Sequence, residues 1–524
     1  MKPKAKLPRH IRIIRWLAVL AVGMALRISL SAQGPVLRHS APARILSAQA
    51  HLSLPLVIKN AILQPTPQGL PTPPMLPTPE PTPDPGEPDR LGPSGGTLTL
   101  VSVDDHGQPA NGDCLMPALS ANGRHVAFVS TATNLVTATG AAATTDAYPR
   151  LYHVDLETGE RRGIPAQIAA FLHSEEAIGD KDLADVGAVG RIVLSGNGQL
   201  VAFDTMAALV PEDRNHAPDV YLWRIGQSDL WRGGLTPFYA DLTYGAERPA
   251  LSADGALLAF DSASPELMPG SSAMDRREVF VQDLITGAIV RVSVDVIGPN
   301  VRPALSADGR YIAFQTVADN PAMGDHNSMD DIYVYDGSLG RTSRISQAWN
   351  GGDSNGPSWA PTFSADGRYV AYVSTATNIV SDAGLGASPN TPTSHILIRP
   401  WTQSDSLTER VSVTPSGLPA NGSSDAPSVS ADGRYVVFSS LATDLVAGDT
   451  GGHAQVFLRD RVSGITVCLS QDPDGHAANG PNYWPTISAD GHHVVFMSES
   501  TNLAPETGSA GVLGKQIIVW QRNR

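Results

Sequence analysis

Residues 302–314 read RPALSADGRYIAF, and variants of this phrase occur seven times along the 524-residue chain. The serines of successive copies are 75, 57, 54, 58, 66 and 58 residues apart. A recurrence of this size indicates a repeat architecture with one supersecondary unit per period. The copies are MPALSANGRHVAF (116–128), RIVLSGNGQLVAF (191–203), RPALSADGALLAF (248–260), RPALSADGRYIAF (302–314), APTFSADGRYVAY (360–372), APSVSADGRYVVF (426–438) and WPTISADGHHVVF (484–496).

Each copy predicts a β-hairpin. The first strand ends at the serine, and Asp-Gly or Asn-Gly then tolerates the positive φ values of a tight turn. An alternating second strand follows, and phrases such as EVFVQDL, beginning at Glu278, predict a third. A turn such as 283–287 leads to a fourth strand such as IVRVSVD, beginning at Ile289. Four antiparallel strands repeated seven times predict an all-β fold, a seven-bladed β-propeller.

The two ends of the repeat region indicate how the ring closes. The seventh copy reaches a third strand, GKQIIVW, with only residues 521–524 after it. Residues 97–103, TLTLVSV, resemble the fourth strands of other units but precede the first copy. The N-terminal strand is therefore expected to complete the last blade, which removes the open sheet edge. The propeller is predicted to span residues 97–524.

The repeated phrase, a proline before S-x-D-G and an aromatic-ended strand, resembles the repeat of TolB-like propellers, relatives of the WD-repeat proteins that occur in exported bacterial chains. SADG stands intact in five copies and becomes SANG and SGNG in the first two. The resemblance covers essentially all of residues 97–524. It implies the fold, whereas the function stays open because the family includes scaffolds, polysaccharide-associated proteins and propellers attached to peptidases.

The N-terminal region predicts export. Six basic residues precede an apolar run from Trp16 to Leu26, and small residues follow, so residues 1–32 resemble a secretory signal peptide. The run is shorter than the ~20 residues of a membrane-spanning helix. Residues 33–96 are expected to form a disordered, proline-rich spacer, because residues 64–93 include 12 prolines. The mature chain is expected to be extracellular or associated with the cell envelope, without a transmembrane span.

Composition excludes several classes of protein. The chain has a net charge of -14, which becomes -21 without residues 1–32, so nucleic acid is not an expected partner. Its two cysteines, Cys114 and Cys468, cannot form a disulfide framework or a four-cysteine zinc site. The motif serines recur in every unit, whereas a catalytic serine is needed once and beside a base. No catalytic residue is predicted, and a monomer without a cofactor is expected.

Arginines mark the first candidate binding site. The residue at the first position of the repeated phrase is Met116, Arg191, Arg248, Arg302, Ala360, Ala426 and Trp484 in the successive units. Because the first strand of each blade lines the central channel, Arg191, Arg248 and Arg302 are expected to form an arc there. Such an arc could hold a carboxylate or phosphate through bidentate hydrogen bonds. Alternatively, each arginine pairs with a local acid such as Glu247 or Asp241.

Aromatic residues mark a second candidate site, because Trp349, Trp359, Tyr483 and Trp484 lie in or beside the segments that enter units 5 and 7. Exposed aromatic rings suit sugar rings or a protein partner. The alternative is that they cover neighbouring blades.

Two loops resemble calcium ligand sets. Asp213, Asn215 and Asp219 precede one third strand, and Asp325, Asn327 and Asp331 precede another. Alternating Asx oxygens could coordinate Ca²⁺. The alternative is that these residues form Asx turns that cap the hairpins.

The combined prediction is an exported, non-catalytic propeller that binds a protein or a glycan at its loop face. The alternative is a propeller carbohydrate hydrolase or lyase that acts on extracellular polysaccharide. A carboxylate pair for that chemistry could lie in the acidic insertion from Gln167 to Gly187, which otherwise predicts a solvated loop.

Overall fold

A computed structural model describes residues 95–135, 149–164, 190–235, 241–267, 276–296, 298–317, 319–381, 393–402, 407–448, 450–503 and 514–523. The predicted signal peptide, the acidic insertion and all of the predicted spacer except residues 95 and 96 lie outside these ranges. The described residues form seven four-stranded antiparallel sheets, which are the blades of a β-propeller. None of the helices in these ranges has the length and apolar character needed to cross a membrane.

The strands follow one another blade by blade. They are β1 (Gly96–Leu100); in blade 1 β2 (Cys114–Leu119), β3 (His125–Ser130), β4 (Arg150–Asp155) and β5 (Arg161–Gly163); in blade 2 β6 (Ile192–Leu194), β7 (Leu200–Thr205), β8 (Asp219–Arg224) and β9 (Leu230–Arg232); in blade 3 β10 (Glu247–Leu251), β11 (Leu257–Ser262), β12 (Glu278–Asp283) and β13 (Ile289–Arg291); in blade 4 β14 (Asn300–Leu305), β15 (Tyr311–Thr316), β16 (Asp331–Asp336) and β17 (Arg341–Arg344); in blade 5 β18 (Ser358–Phe363), β19 (Tyr369–Ser374), β20 (His395–Pro400) and β21 (Glu409–Arg410); in blade 6 β22 (Ser424–Val429), β23 (Tyr435–Ser440), β24 (Gln455–Asp460) and β25 (Ile465–Cys468); and in blade 7 β26 (Asn482–Ile487), β27 (His493–Ser498) and β28 (Gln516–Arg522). Short 3₁₀ helices span Pro265–Leu267 and Pro321–Met323.

Hydrogen bonds within the S-x-D-G phrase explain why it recurs. In blade 6 the buried hydroxyl of Ser430 donates to Asp432 Oδ1 at 2.8 Å and accepts the Tyr435 backbone N–H at 2.9 Å. Asp432 Oδ1 also accepts the Arg434 N–H at 2.9 Å. Gly433 has φ +76°, whereas Asp432 does not have a positive φ. The aspartate or asparagine is therefore needed as an acceptor within the turn, and only the glycine supplies the left-handed conformation.

The same turns join each blade to the next. The backbone N–H of Ala431 donates to the Ala489 carbonyl at 2.8 Å, and the N–H of Ala489 donates to the Ala121 carbonyl at 2.8 Å. A Cβ atom added to Gly433 would lie 2.4 Å from Cδ2 of Tyr369 in the preceding blade. The turn glycine thus also allows close packing between blades.

Strand β1 closes the ring, as predicted. It pairs antiparallel with β28, from Gly96 opposite Arg522 to Leu100 opposite Ile518. Beyond β1, the hydroxyl of Ser102 donates to Gln516 Oε1 at 2.7 Å and accepts the Ile517 N–H at 3.0 Å. The sequence of blade 7 is therefore drawn from both ends of the described chain.

The hydrophobic core is divided among the junctions between blades. Seven clusters of buried side chains are present among the described residues, and each combines residues from two adjacent blades. The cluster between blades 3 and 4, for example, includes Val279, Ile312, Phe314 and Tyr333. Burial of apolar surface between sheets thus holds the ring together.

Candidate functional site

A β-bulge shapes the wall of the central channel. In six blades the innermost strand has an irregular register around the proline, and the residue before the proline has φ between 51° and 56°. These left-handed residues are Met116, Arg248, Arg302, Ala360, Ala426 and Trp484. In blade 2, Ile192 replaces the proline, and Arg191 does not have a positive φ.

The seven residues at this position line one cavity of about 620 Å³. Arg191, Arg248 and Arg302, which are far apart in sequence, therefore converge in the structure, and Trp484 lines the same cavity. Asp204 and Glu247 also contribute to the wall. The volume is typical of a small-molecule site.

Arg248 is held in an ion-pair cluster. Its Nη1 lies 2.8 Å from Asp261 Oδ1, and its Nη2 lies 3.2 Å from Glu247 Oε2. Arg277 contacts the same two acids, at 2.6 Å for Asp261 and 2.9 Å for Glu247. Burial raises the pKa of Asp261, while the guanidiniums of Arg277 and Arg248 oppose this rise. The predicted alternative of pairing with a local acid therefore applies to Arg248, whereas Asp241 pairs with Arg232 instead.

Arg191 lies beside a buried carboxylate. Its backbone N–H donates to Asp204 Oδ1 at 2.6 Å, and its Nη1 donates to the Pro303 carbonyl of blade 4 at 3.3 Å. Burial lowers the pKa of Arg191, and the charges of Arg302 and Arg248 lower it further, while Asp204 opposes them. The guanidiniums of Arg302 and Arg248 are therefore close enough to repel that of Arg191. Burial also raises the pKa of Asp204 to about 6, although the backbone N–H groups of Arg248 and Arg191 donate to it.

Arg302 differs from the other two arginines. Its backbone N–H donates to Asp261 Oδ2 at 3.1 Å, but its side chain is exposed. Within the part of the chain that the structure describes, no ion pair or hydrogen bond involves its guanidinium. The cluster of Arg191, Arg248, Arg277 and Arg302 with Asp204, Glu247 and Asp261 thus has one positive charge in excess, and Arg302 is its arginine whose side chain has no partner among the described residues.

The aromatic candidates lie in different environments. Trp484 is 42% exposed within the cavity, and the Tyr483 ring lies 6.3 Å from it at an interplanar angle of 46°. Trp359 packs against the core between blades 5 and 6, in keeping with the alternative that these residues cover blades. Trp349 is exposed, and neither it nor Trp359 lines the cavity. Of these four aromatic candidates, only Trp484 lines the same cavity as the three arginines.

The first predicted calcium set surrounds an arginine. Arg232 is buried, and its Nη1 lies 3.0 Å from Asp219, 3.6 Å from Asp213 and 2.7 Å from Asp241. Asn215 Nδ2 donates to Asp219 Oδ2 at 3.1 Å, and burial raises the pKa of Asp219 to about 6. The guanidinium takes the position between the carboxylates that a cation would need.

The second predicted set repeats this arrangement in blade 4. Nη1 of the buried Arg344 lies 3.2 Å from Asp325, 3.6 Å from Asp331 and 2.9 Å from Asp353. Asn327 donates to the Ser354 carbonyl at 3.0 Å. Calcium binding at either set stays a prediction, and an ion would have to displace an arginine.

No protein-family model and no curated protein matches this chain. Similar solved structures include a TolB from Agrobacterium tumefaciens, with 14% identity, 60% of this chain and 88% of that chain covered, and a TM-score of 0.34. They also include the β-propeller domain of the Trilobed protease from Pyrococcus furiosus (9% identity, 78% and 95% covered, TM-score 0.45) and an oligogalacturonate lyase from Vibrio parahaemolyticus (10%, 82% and 97%, 0.44). The chain has the propeller fold that the TolB-like repeat implied.

Sequence reasoning missed the acids of the channel. Asp204 and Asp261 occupy the same position on the second strands of blades 2 and 3. They are the penultimate residues of β7 and β11. Each accepts the backbone N–H of the arginine in the following blade. An acidic residue at this position is a departure from the repeat that the sequence contains, because the equivalent residues in the other blades are not acidic. They are Val129, Gln315, Val373, Ser439 and Met497.

Proposed function

We propose that this chain is an exported, non-catalytic binding propeller whose ligand presents an anionic group to the central channel. The observation that carries the proposal is the exposed guanidinium of Arg302, which has no partner among the described residues, in a cavity that holds Arg191 and Arg248. On a protein with a net charge of -14, such a local excess of positive charge suits a carboxylate or phosphate. The ligand belongs to a glycan or a protein outside the cytoplasm.

The proposal predicts that Arg302→Ala abolishes anion binding without weakening the fold. Alanine stands at the equivalent positions of blades 5 and 6 with the same backbone conformation, so the bulge accepts it. Acetate and inorganic phosphate should raise the melting temperature of the full chain, and the rise should be absent in Arg302→Ala. A ligand at 100 times its Kd stabilises the folded state by about 2.7 kcal/mol. Differential scanning fluorimetry measures this response.

The matched control is Arg341→Ala, which removes the same charge from an exposed position outside the cavity. Arg341→Ala should keep the response to both anions. If both variants respond as the wild type does, or if no protein responds to either anion, the proposed channel site is wrong.

One observation favours the enzymatic alternative, a carbohydrate hydrolase or lyase. Asp204 lines the cavity, is 5% exposed and has a pKa raised to about 6 by burial, which suits a general acid or base near neutral pH. Incubation of the chain with a panel of acidic and neutral polysaccharides separates the two functions. Soluble products that disappear with Asp204→Asn would establish catalysis, whereas their absence would favour binding alone.

A further inference from the structure

The cavity has two chemically different sides. Blades 2, 3 and 4 contribute its arginines and acids, Arg191, Asp204, Glu247, Arg248 and Arg302. Blades 5, 6, 7 and 1 contribute only alanine, proline, serine, threonine, leucine, methionine and tryptophan among the described residues that line it. A ligand that filled the cavity would therefore contact charged groups on one side and uncharged, largely apolar groups on the other.

Trp484 provides the largest apolar surface opposite the charged side. Its side chain is 42% exposed, and the neighbouring Tyr483 ring is tilted against it, not stacked on it. Arg302 belongs to blade 4 and Trp484 to blade 7, and three places is the largest separation that a ring of seven blades allows. The Arg302 guanidinium and the exposed indole thus lie across the channel from each other, at equivalent positions of their inner strands.

We infer that the ligand is a single ring that carries a carboxylate or phosphate, with the anionic group on Arg302 and the ring against Trp484. This inference rests on the proposed function and specifies what is attached to the anionic group. An indole packs against the apolar face of an aromatic ring or of a sugar. The volume of about 620 Å³ accommodates such a ring together with its substituent. A sugar acid and an aromatic acid share this chemistry.

Isothermal titration of the full chain with four probes tests the inference. Acetate has the anionic group without a ring, glucose has a ring without the charge, and glucuronate and benzoate have both. Trp484→Ala is the decisive variant, since Ala360 and Ala426 occupy the equivalent position with the same φ. The control is Tyr244→Ala, which removes an aromatic side chain of equal exposure, 42%, that does not line the cavity.

The expected result is that glucuronate or benzoate binds the wild type about tenfold more tightly than acetate does. Trp484→Ala should remove this gain and leave the affinity for acetate unchanged, whereas Tyr244→Ala should preserve the gain. Arg302→Ala should abolish the binding of acetate and of both ring acids alike. A gain restricted to glucuronate identifies a sugar acid, and a gain restricted to benzoate identifies an aromatic acid.

Three other outcomes are distinguishable. If acetate binds and depends on Arg302, but the ring acids gain nothing or keep their gain in Trp484→Ala, the ring inference is overturned while the proposed function stands. If no anion binds, the proposed function fails together with the inference. Glucose that binds as tightly as glucuronate would overturn the requirement for the anionic group.

Discussion

At the scale of single residues, the turn glycines carry two separate constraints. Gly433 has φ +76°, and an added Cβ would lie 2.4 Å from the Tyr369 ring of the preceding blade. Gly417 has φ +83°, but no atom of the described residues lies within 4 Å of its added Cβ. The two positions therefore separate the cost of the backbone conformation from the cost of the contact between blades.

We predict that Gly417→Ala lowers the free energy of unfolding by about 1 kcal/mol, which is the cost of a left-handed alanine. Gly433→Ala should lower it by a further ~1–3 kcal/mol, because the methyl group also forces Tyr369 to move. Denaturant unfolding measures both values. Equal losses in the two variants would show that the turn does not set the packing between blades.

A buried histidine pair in blade 1 makes stability depend on pH. His125 Nδ1 lies 3.1 Å from His153 Nε2, and both side chains are buried. The pKa of His153 is lowered to about 3, chiefly by burial and also by the charges of His125 and Arg162, while Asp155 opposes them. Burial also lowers the pKa of His125, where Asp155 and Glu157 oppose burial and Arg124 reinforces it.

The unfolded chain binds a proton at His153 near its ordinary pKa of 6.5, whereas the folded protein does not. Unfolding therefore takes up protons below pH 6.5, and the contribution of His153 to the free energy of unfolding is fully present above that pH. It falls by up to about 1.4 kcal/mol per pH unit as the pH drops from 6.5 toward 3. The other blades have an aliphatic residue at the position of His153. The variant His153→Leu should therefore reduce the dependence of stability on pH between pH 6.5 and 4.5. Melting temperatures across that range would refute the prediction if both proteins lost stability in parallel.

At the scale of elements, β1 is the only strand of blade 7 that comes from the N-terminal end of the described chain. A variant that begins at Asp104 loses β1 and the Ser102 hydroxyl that bonds Gln516 and Ile517. It should melt at a lower temperature than a variant that begins at Gly95, and its unpaired β28 edge should promote association.

A rescue variant provides the control for β1. The backbone N–H of Asn523 donates to the Gly95 carbonyl at 2.8 Å, so the end of β28 lies beside the start of β1. Appending residues 95–103 after Arg524, through a short glycine linker, to the variant that begins at Asp104 should restore the melting temperature. Equal melting temperatures before and after the removal of β1 would contradict its role in closure.

The inner strands show where element prediction from sequence stops. Alternation and turn residues predicted the strands and their order, because these signals are local. A residue before proline normally favours extended backbone, yet Ala360, Ala426 and four others are left-handed. The bulge results from the pairing between the first two strands of each blade and not from a local sequence signal. It therefore could not be predicted from the sequence alone.

At the scale of the whole molecule, the ring determines which parts of the site were predictable. Convergence of Arg191, Arg248 and Arg302 followed from the repeat, because equivalent positions of a closed ring meet at its axis. The ionic partners of these arginines could not be predicted from the repeat, since Asp204 and Asp261 lie on second strands and Arg277 precedes a third strand. Arg248 is paired, whereas the Arg302 side chain has no partner in the part of the chain that the structure describes, and this difference depends on contacts between strands and blades. A repeat therefore predicts where side chains meet, but not which charges remain uncompensated.

Ring closure by β1 also affects the kinetics of folding. Ser102 and Gln516 are 414 positions apart, so their hydrogen bond forms only after almost the whole propeller has been synthesised. Contacts of such long range are slow to form, because the entropy of closing the intervening loop is lost before they add stability. Six blades are assembled from neighbouring segments, whereas the first strand made is the last to be paired. The rate of the final folding step should therefore be set by how fast β1 finds β28.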